Sequence, residues 1–293
     1  MKIAIFAREI NEKWRKRLSG ILVALDKRGI LLTYYRPFYL KMCDYDYMKV
    51  PQGALFTNEN DLPGDTDIFL CFGGDGTLLE SVTIIKDRNI PVAGVNFGRL
   101  GFLTSVDSNL GDEWIDRIIS GDYVVENRGL LSVKTTALPK NFCSYALNEV
   151  SFQRKDPSMM SIHVKINGME LPPYWSDGIV LASPTGSTAY SLSVGGPIAL
   201  PGVKALILAP IAPHNLNVRP LVVSDDSVTE VFIESRWGEA ILSLDNRSFT
   251  IPAGVKVTIT KAEACIKYIS LNKGSFIQAL REKLMWGEDK RNT

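Results

Sequence analysis

The spacing of apolar and polar positions divides this 293-residue chain into two stretches of different character. In the first, short apolar runs alternate with segments of helical period. KIAIFA (2–7) reads as a buried strand. Asn11 then stands where a helix cap is needed, and Trp14, Leu18, Ile21, Leu22 and Leu25 recur on one face of a helix ending at Gly29. ILLTYY (30–35) predicts a second strand and 67–72 a third, followed by a helix over 77–88 and a short strand in PVAGVN (91–96). Such alternation predicts a parallel, doubly wound α/β sheet. Residues 36–66, tyrosine-rich and then polar, carry no readable pattern and admit a mobile flap.

After a helix predicted over 109–120, nearly everything has the period of strand and turn. Strands are expected at 130–136, 142–153, 159–167, 178–183, 203–209, 228–235, 239–244, 255–260 and 264–270, with turn pairs such as Asn167-Gly168 and Ala253-Gly254 between them. The second stretch is therefore β-rich. An amphipathic helix over 275–286, whose apolar periodicity is that of core packing, precedes a polar tail, GEDKRNT. No internal repeat or coiled coil is visible.

Composition narrows the partners. Hydrophobic residues make up 45% and charged residues 22%, as in ordinary globular proteins, and the formal net charge of +1 gives no electrostatic reason to bind nucleic acid or an anionic membrane. The cysteines (Cys43, Cys71, Cys143, Cys265) form no C-x-x-C pair and only two histidines accompany them, which argues against structural zinc and for free thiols in a reducing compartment. No apolar run approaches the ~18 residues of a membrane span, and MKIAIFAREI is too short in its apolar part for a secretory signal. A cytoplasmic protein is expected.

Three stretches carry candidate chemistry. FGGDGTLLE (72–80) is a glycine-rich turn between a strand and a helix, where backbone N–H groups and the helix dipole favour phosphate. No Gly-Lys-Ser/Thr follows, as a Walker loop requires, and Leu79 stands where a dinucleotide fingerprint has its third glycine. The plain reading is a tight turn with Asp75 as a local cap. Adjacent Gly73 and Gly74, costly in backbone entropy, favour a ligand approaching the main chain. A second turn, NFGRLGFLT (96–104), follows the next strand, and turns at the carboxyl ends of parallel strands gather in one crevice. There Asn96 is the polar candidate, either binding or bracing. The third stretch, WSDGIVLASPTGSTAYSLSVGGP (175–197), runs from an apolar strand into small hydroxyl residues and glycine, suited to a polar ligand pocket, with 187–192 starting a further helix. The pair Asn148-Glu149 interrupts an apolar strand and needs partners if buried. Ribose hydroxyls would serve, or the pair faces solvent on an edge. His163 reads as structural or exposed, whereas His214, on a proline-fixed loop, is a site candidate.

Taken in order, GGDGT, NFGRLGFL, LNEV, SDGIVLASPTGSTAYSLSVGGP and LAPIAPHNLNVRPLVV resemble the NAD kinase (ATP-NAD kinase) family. GGDGT also occurs in diacylglycerol-type lipid kinases and phosphofructokinases. The TGSTAY block is more specific, and the likeness spans about 67–286. The resemblance implies transfer of the terminal phosphoryl group of ATP, or of polyphosphate, to the 2′-hydroxyl of the adenosine ribose of NAD. It implies Mg²⁺ or another divalent cation with the ATP, and a homodimer or homotetramer. It also implies an α/β N-terminal domain, a β-rich C-terminal domain with NAD between them, and a closing helix that returns to the first domain. The expected domains are then 1–106 with 271–293, and 107–270.

Carried over position by position, Asp75 matches the proposed base, and Gly74, Gly76 and Thr77 the phosphate path. Asn96, Asn148, Glu149, Asp177, Thr185, Thr188, Ala189, Tyr190, Ser193 and His214 match the dinucleotide contacts, with Asp75 and Gly76 among them. No metal ligand is carried over. Two departures stand out. Tyr174-Trp175-Ser176 replaces a more usual basic or small residue before Asp177, and Asp245-Asn246-Arg247 replaces a more usual Asp-Gly-Gln turn. The second is expected to bear only on a β-turn. Two other functions stay open, a dinucleotide-binding regulator without catalysis and a lipid kinase. The hydroxyl-rich 183–193 stretch argues against the lipid kinase, and a carboxylate at the phosphate loop argues against the regulator.

Overall fold

The computed structural model describes residues 1–8, 11–98, 101–104, 106–107, 111–272 and 275–285. Its contacts divide the chain into two compact units, Met1–Asn127 joined by the C-terminal stretch from Ile266, and Arg128–Cys265.

The first unit opens with β1 (Lys2–Ala7), α1 (Glu12–Lys27), β2 (Leu31–Tyr35), α2 (Arg36–Cys43) and β3 (Ala54–Phe56). It continues with β4 (Ile68–Phe72), α3 (Asp75–Ile85), β5 (Val92–Asn96), β6 (Val106–Asp107) and α4 (Glu113–Ser120). Asn11 caps α1 as expected, its side-chain oxygen accepting from the Lys13 N–H at 3.2 Å. The strands lie in the order β5-β4-β1-β2-β3, every neighbouring pair parallel. β1 and β4 are buried along almost their whole length, which is why they read as unbroken apolar runs.

Residues 36–66 are not a flap. They supply a helix and the edge strand β3, with Phe38, Met42, Phe56 and Leu62 buried. Their tyrosines and turn residues hid this, because only a few side chains per element face inward. Helix α4 places Trp114, Ile115 and Ile118 in the core of the first unit, so residues 111–127 belong with it rather than with the β-rich part. The part of the predicted 109–120 helix at 109–110, positions 99–100 of the second glycine turn, and the tail from Trp286 lie outside the described residues.

β7 (Val124–Lys134) leads into the second unit, whose next strands are β8 (Tyr145–Ala146), β9 (Glu149–Arg154), β10 (Met160–Ile166), β11 (Met169–Glu170), β12 (Tyr174–Ser176) and β13 (Gly178–Ala182). A 3₁₀ turn (Thr185–Thr188) and the single-turn helix α5 (Tyr190–Ser193) follow. Then come β14 (Ala205–Ile211), β15 (Leu221–Ser224), β16 (Thr229–Glu234), β17 (Glu239–Leu244), β18 (Arg247–Pro252) and β19 (Val257–Ser270). One antiparallel sheet runs β15-β14-β13-β9-β17-β18. A second antiparallel group joins β11, β10, β16 and β19, with β12 also on β10. Phe152, Leu181, Leu208 and Leu242 from the first pack with Ile162, Val164, Val231 and Ile259 from the second in one core. The two strands expected at 255–260 and 264–270 are one, because Lys261 and Glu263 turn outward while Ala262 stays buried and the alternation continues. The short strands β11, β12, β15 and β18 have too few buried positions to stand out in the sequence.

The closing helix, α6 (Ser275–Leu284), buries Phe276, Ala279 and Leu280. Phe276 meets the Phe102 ring at 5.9 Å. Among the described residues no helix is long and apolar enough to cross a membrane. If α6 is part of the first unit's core, Phe276→Ala lowers unfolding free energy by about 3–5 kcal/mol, the usual cost of deleting a buried ring. Urea titration reads this, and an unchanged midpoint would show the helix to be an ornament.

Candidate active site

In the first unit the chemistry gathers where β4 and β5 end. The Gly73 N–H donates to the Val95 carbonyl at 2.9 Å, tying the first glycine turn to the strand that leads into the second. Gly73 has φ 152°, and a Cβ there would lie 2.3 Å from Thr77 Oγ1, so glycine is required. Gly74 caps α3 with no side-chain hydrogen bond, and Asp75 occupies the first turn. The helix thus starts two residues earlier than its apolar pattern predicts. Gly74 and Gly76 are exposed with open space where a Cβ would stand, and Thr77 is half-buried.

Asp75 does not point into an empty loop. Its Oδ2 accepts the Phe102 N–H and its Oδ1 the Leu103 N–H, each at 3.0 Å. Gly101 makes this approach possible, because a Cβ there would fall 1.8 Å from Asp75 Oδ1. Thr104 completes the turn, its Oγ1 accepting from the Gly101 N–H at 2.7 Å and from Asn96 Nδ2 at 3.3 Å. Asn96 Oδ1 in turn accepts the Gly98 N–H at 2.7 Å. Asn96 is therefore buried and braces the turn, the alternative that the sequence left open. Lys283 of α6 brings its ammonium to 3.6 Å from Asp75 Oδ2 and 4.7 Å from the Phe102 ring centroid. A carboxylate has about four acceptor positions, so two N–H bonds leave one on each oxygen for a hydroxyl.

In the second unit the sheet register places the remaining candidates. Val150 and Phe152 of β9 face the large core, so Glu149 faces the other way, opposite Ala182. On that face Val180 and Ala182 pack with Tyr190 and Val194. The Ser183 N–H donates to Asn148 O at 2.8 Å, and its hydroxyl to Leu147 O at 2.6 Å. A Cβ on Gly186 would sit 2.1 Å from Asn148 O. The hydroxyl-rich segment thus lies directly on the Asn148-Glu149 main chain. Asn148 Oδ1 and Glu149 Oε2 are buried without a hydrogen-bond partner among the described residues. Buried acceptors left open in this way suit donors from a ligand.

Burial, and then the charge of Asp245, push the Glu149 carboxyl up to about 8, partly opposed by a Tyr190 N–H. Burial also raises the Tyr190 phenol, helped by Glu149 and Asp177, which puts these three groups within electrostatic reach of one another. Asp177 pairs with Arg154 at 3.1 Å. Thr185 is buried, Thr188 and Ala189 are half-buried, and Ser193 and His214 are exposed. The His214 N–H donates to the Trp175 carbonyl at 2.8 Å. His163 is half-buried, with its ring near Phe232 and its nitrogens 4.0 and 3.6 Å from Glu170 and Glu234 carboxylate oxygens. The segment expected to start a helix at 187–192 is a 3₁₀ turn and a single α turn, too short to act as an anion-binding helix end.

Comparison with known proteins decides the lineage. Residues 56–123 match the ATP-NAD kinase N-terminal domain and residues 147–271 the ATP-NAD kinase C-terminal domain. The chain belongs to the ATP-NAD kinase family. It is 41% identical to an NAD kinase of Porphyromonas gingivalis over 98% of both chains, and 35% identical to one of Christiangramia forsetii over the full length of both. An NAD kinase from Archaeoglobus fulgidus, solved in complex with ATP, superposes with a TM-score of 0.74 at 25% identity, covering 97% of this chain and 99% of that one. The yeast NADH kinase, solved with NADH, shares the fold with a TM-score of 0.86 at 24% identity, covering 100% of this chain and 89% of that one. The expected family fold, α/β followed by β-rich, is borne out.

Two groups were not legible from the ATP-NAD kinase motifs. Asp245 is more than a turn residue. Fully buried, it accepts the N–H groups of Leu147, Asn148 and Glu149 at 2.9, 2.7 and 3.2 Å. Arg247 stands 4.0 Å from it and donates to Cys143 O at 2.8 Å and to Tyr145 O. The aspartate is common to the usual Asp-Gly-Gln turn, whereas the departing Arg247 holds the Cys143 and Tyr145 carbonyls just before the LNE segment, so the departure bears on more than a β-turn. Lys283 is the other, hidden among the surface charges of α6.

Glu149 gives this site a pH signature. Its folded value lies above its ordinary 4.5, so the native state holds a proton that the unfolded chain releases. Stability is then full below pH 4.5 and is lost as pH rises toward about 8. Glu149→Gln removes that loss. Its Tm relative to wild type should rise between pH 5 and pH 9 by roughly 5 °C or more. A difference independent of pH would contradict the assignment.

Proposed function

We propose that this chain is an NAD kinase, transferring the terminal phosphoryl group of ATP to the 2′-hydroxyl of the adenosine ribose of NAD. Family membership across both domains carries the reaction. The observation that carries the residue roles is Asp75, a carboxylate held by two main-chain N–H groups at the start of a glycine-capped helix. A ribose hydroxyl is a weak nucleophile, and phosphoryl transfer depends on in-line placement and charge stabilisation. Asp75 accepts the hydrogen bond of the attacking hydroxyl on a free lone pair and takes its proton as the new O–P bond forms. The bond from the γ-phosphorus to the β,γ-bridging oxygen breaks, and ADP leaves. Gly74, Gly76 and Thr77 line the phosphate path.

Asn148 and Glu149, whose buried Oδ1 and Oε2 have no partner among the described residues, hold ribose hydroxyls of the dinucleotide. Asp177, Thr185, Thr188, Ala189, Tyr190 and Ser193 make up the rest of the contact surface in this proposal, with His214 at its exposed margin. Among the described residues no three His, Cys, Asp or Glu side chains converge on one point, so the divalent cation, Mg²⁺, is proposed to come with the donor's phosphates. Bound there, it would offset phosphate charge. Polyphosphate as donor, a homodimer or homotetramer, and a cytoplasmic location complete the proposal.

Incubating the protein with NAD, ATP and Mg²⁺ should yield NADP. NAD binding without NADP would favour a regulator, and phosphorylation of diacylglycerol instead would favour a lipid kinase. Asp75→Asn should lower turnover by ~10²-fold or more while calorimetry still detects NAD binding. Turnover near that of wild type would remove Asp75 from the chemistry.

A further inference from the structure

No Gly-Lys-Ser/Thr follows the glycine turn, so the loop lacks the lysine that cradles phosphates in Walker sites. A cation nonetheless reaches the loop, from the other end of the chain. Helix α6 docks on the second glycine turn through Phe276 against Phe102. Two turns further on, Lys283 lies over the same Phe102 ring with its ammonium 3.6 Å from Asp75 Oδ2. Phe102 is thus held at three points: its N–H on Asp75, its ring on Phe276, and its face under Lys283. Both partners of the ion pair are about a third exposed, so a ligand can reach them.

We propose that Lys283 is a positioning residue for the donor site, offsetting the charge of Asp75 so that the phosphates of a nucleoside triphosphate can enter the glycine loop. The inference rests on the kinase reading above, but it concerns phosphate admission rather than transfer. Opposite charges at this separation attract, and a carboxylate neutralised by an ammonium repels an incoming polyanion far less than a bare one. The contact also orients Asp75, whose second lone pairs then stay available to a hydroxyl. Lys283 acts through Asp75, which is why its effect must vanish when that carboxylate is removed.

The test is a double-mutant cycle on binding of a non-hydrolysable ATP analogue with Mg²⁺, measured by calorimetry. Lys283→Met should weaken binding ~10-fold, a coupling of ordinary size for neighbouring charges. Lys283→Arg should restore it to within threefold. In the Asp75→Asn background, Lys283→Met should have no further effect. The Tm of Lys283→Met should stay close to wild type, because a partly exposed ion pair adds little stability. Binding by Lys283→Met within twofold of wild type, or an equal loss in both backgrounds, would overturn the inference. NADP formation by the wild type is followed in parallel. If it occurs while the cycle shows no coupling, the lysine inference fails alone. If coupling is seen and no NADP forms, the kinase reading fails alone.

Discussion

A carboxylate at the start of a glycine-capped helix is the constraint on which the first unit depends. Two like unit charges about 4 Å apart near a protein surface repel by about 4 kcal/mol at an effective dielectric of ~20. A loop built for phosphate alone would have no use for Asp75. The structure answers the conflict locally, with the N–H groups of Phe102 and Leu103 on its two oxygens and the ammonium of Lys283 close by. Each of these requires something of the fold. The N–H groups require the second glycine turn to run within touching distance, which Gly101 allows and any larger residue forbids. The turn requires β4 and β5 to be parallel neighbours, so that their carboxyl ends coincide. The ammonium requires the chain's last helix to return to the unit in which the chain began.

The second unit solves a related problem in the same way. Asp245 is fully buried, and its burden is shared among three main-chain N–H groups and the nearby Arg247. That arrangement holds the backbone of Leu147, Asn148 and Glu149, and the ionisation of Glu149 is opposed first by its burial and then by Asp245. The segment is held at its main chain, while Asn148 Oδ1 and Glu149 Oε2 have no hydrogen-bond partner among the described residues. Binding groups kept short of partners by a braced backbone are pre-organised for a substrate that brings its own donors.

Most of the element order was legible from periodicity, since β1, β4 and β5 are buried along almost their whole length and α1 buries one face from Leu18 to Leu25. Local features with few inward residues were not, among them α2, β3 and the polar hairpin strand β18. The motif residues were legible because glycine, small hydroxyls and carboxylates in those orders are rare without a ligand to explain them. Their partners were not. Lys283 lies 208 positions from Asp75, and Asp245 lies 96 from Glu149. No spacing rule connects residues at such distances; only the sheet order and the docked helix do. Asn96 shows the converse, a motif residue whose polar atoms turn inward to hold a turn.

The central claim is that Asp75 works on the attacking hydroxyl rather than merely holding a turn. A crystal structure of the protein with NAD and a non-hydrolysable ATP analogue tests it most directly. The account predicts the 2′-oxygen of the adenosine ribose within about 2.6–3.2 Å of an Asp75 carboxylate oxygen, in line with the terminal phosphorus. An adenosine ribose bound out of hydrogen-bond reach of Asp75, with the phosphates in place, would contradict it.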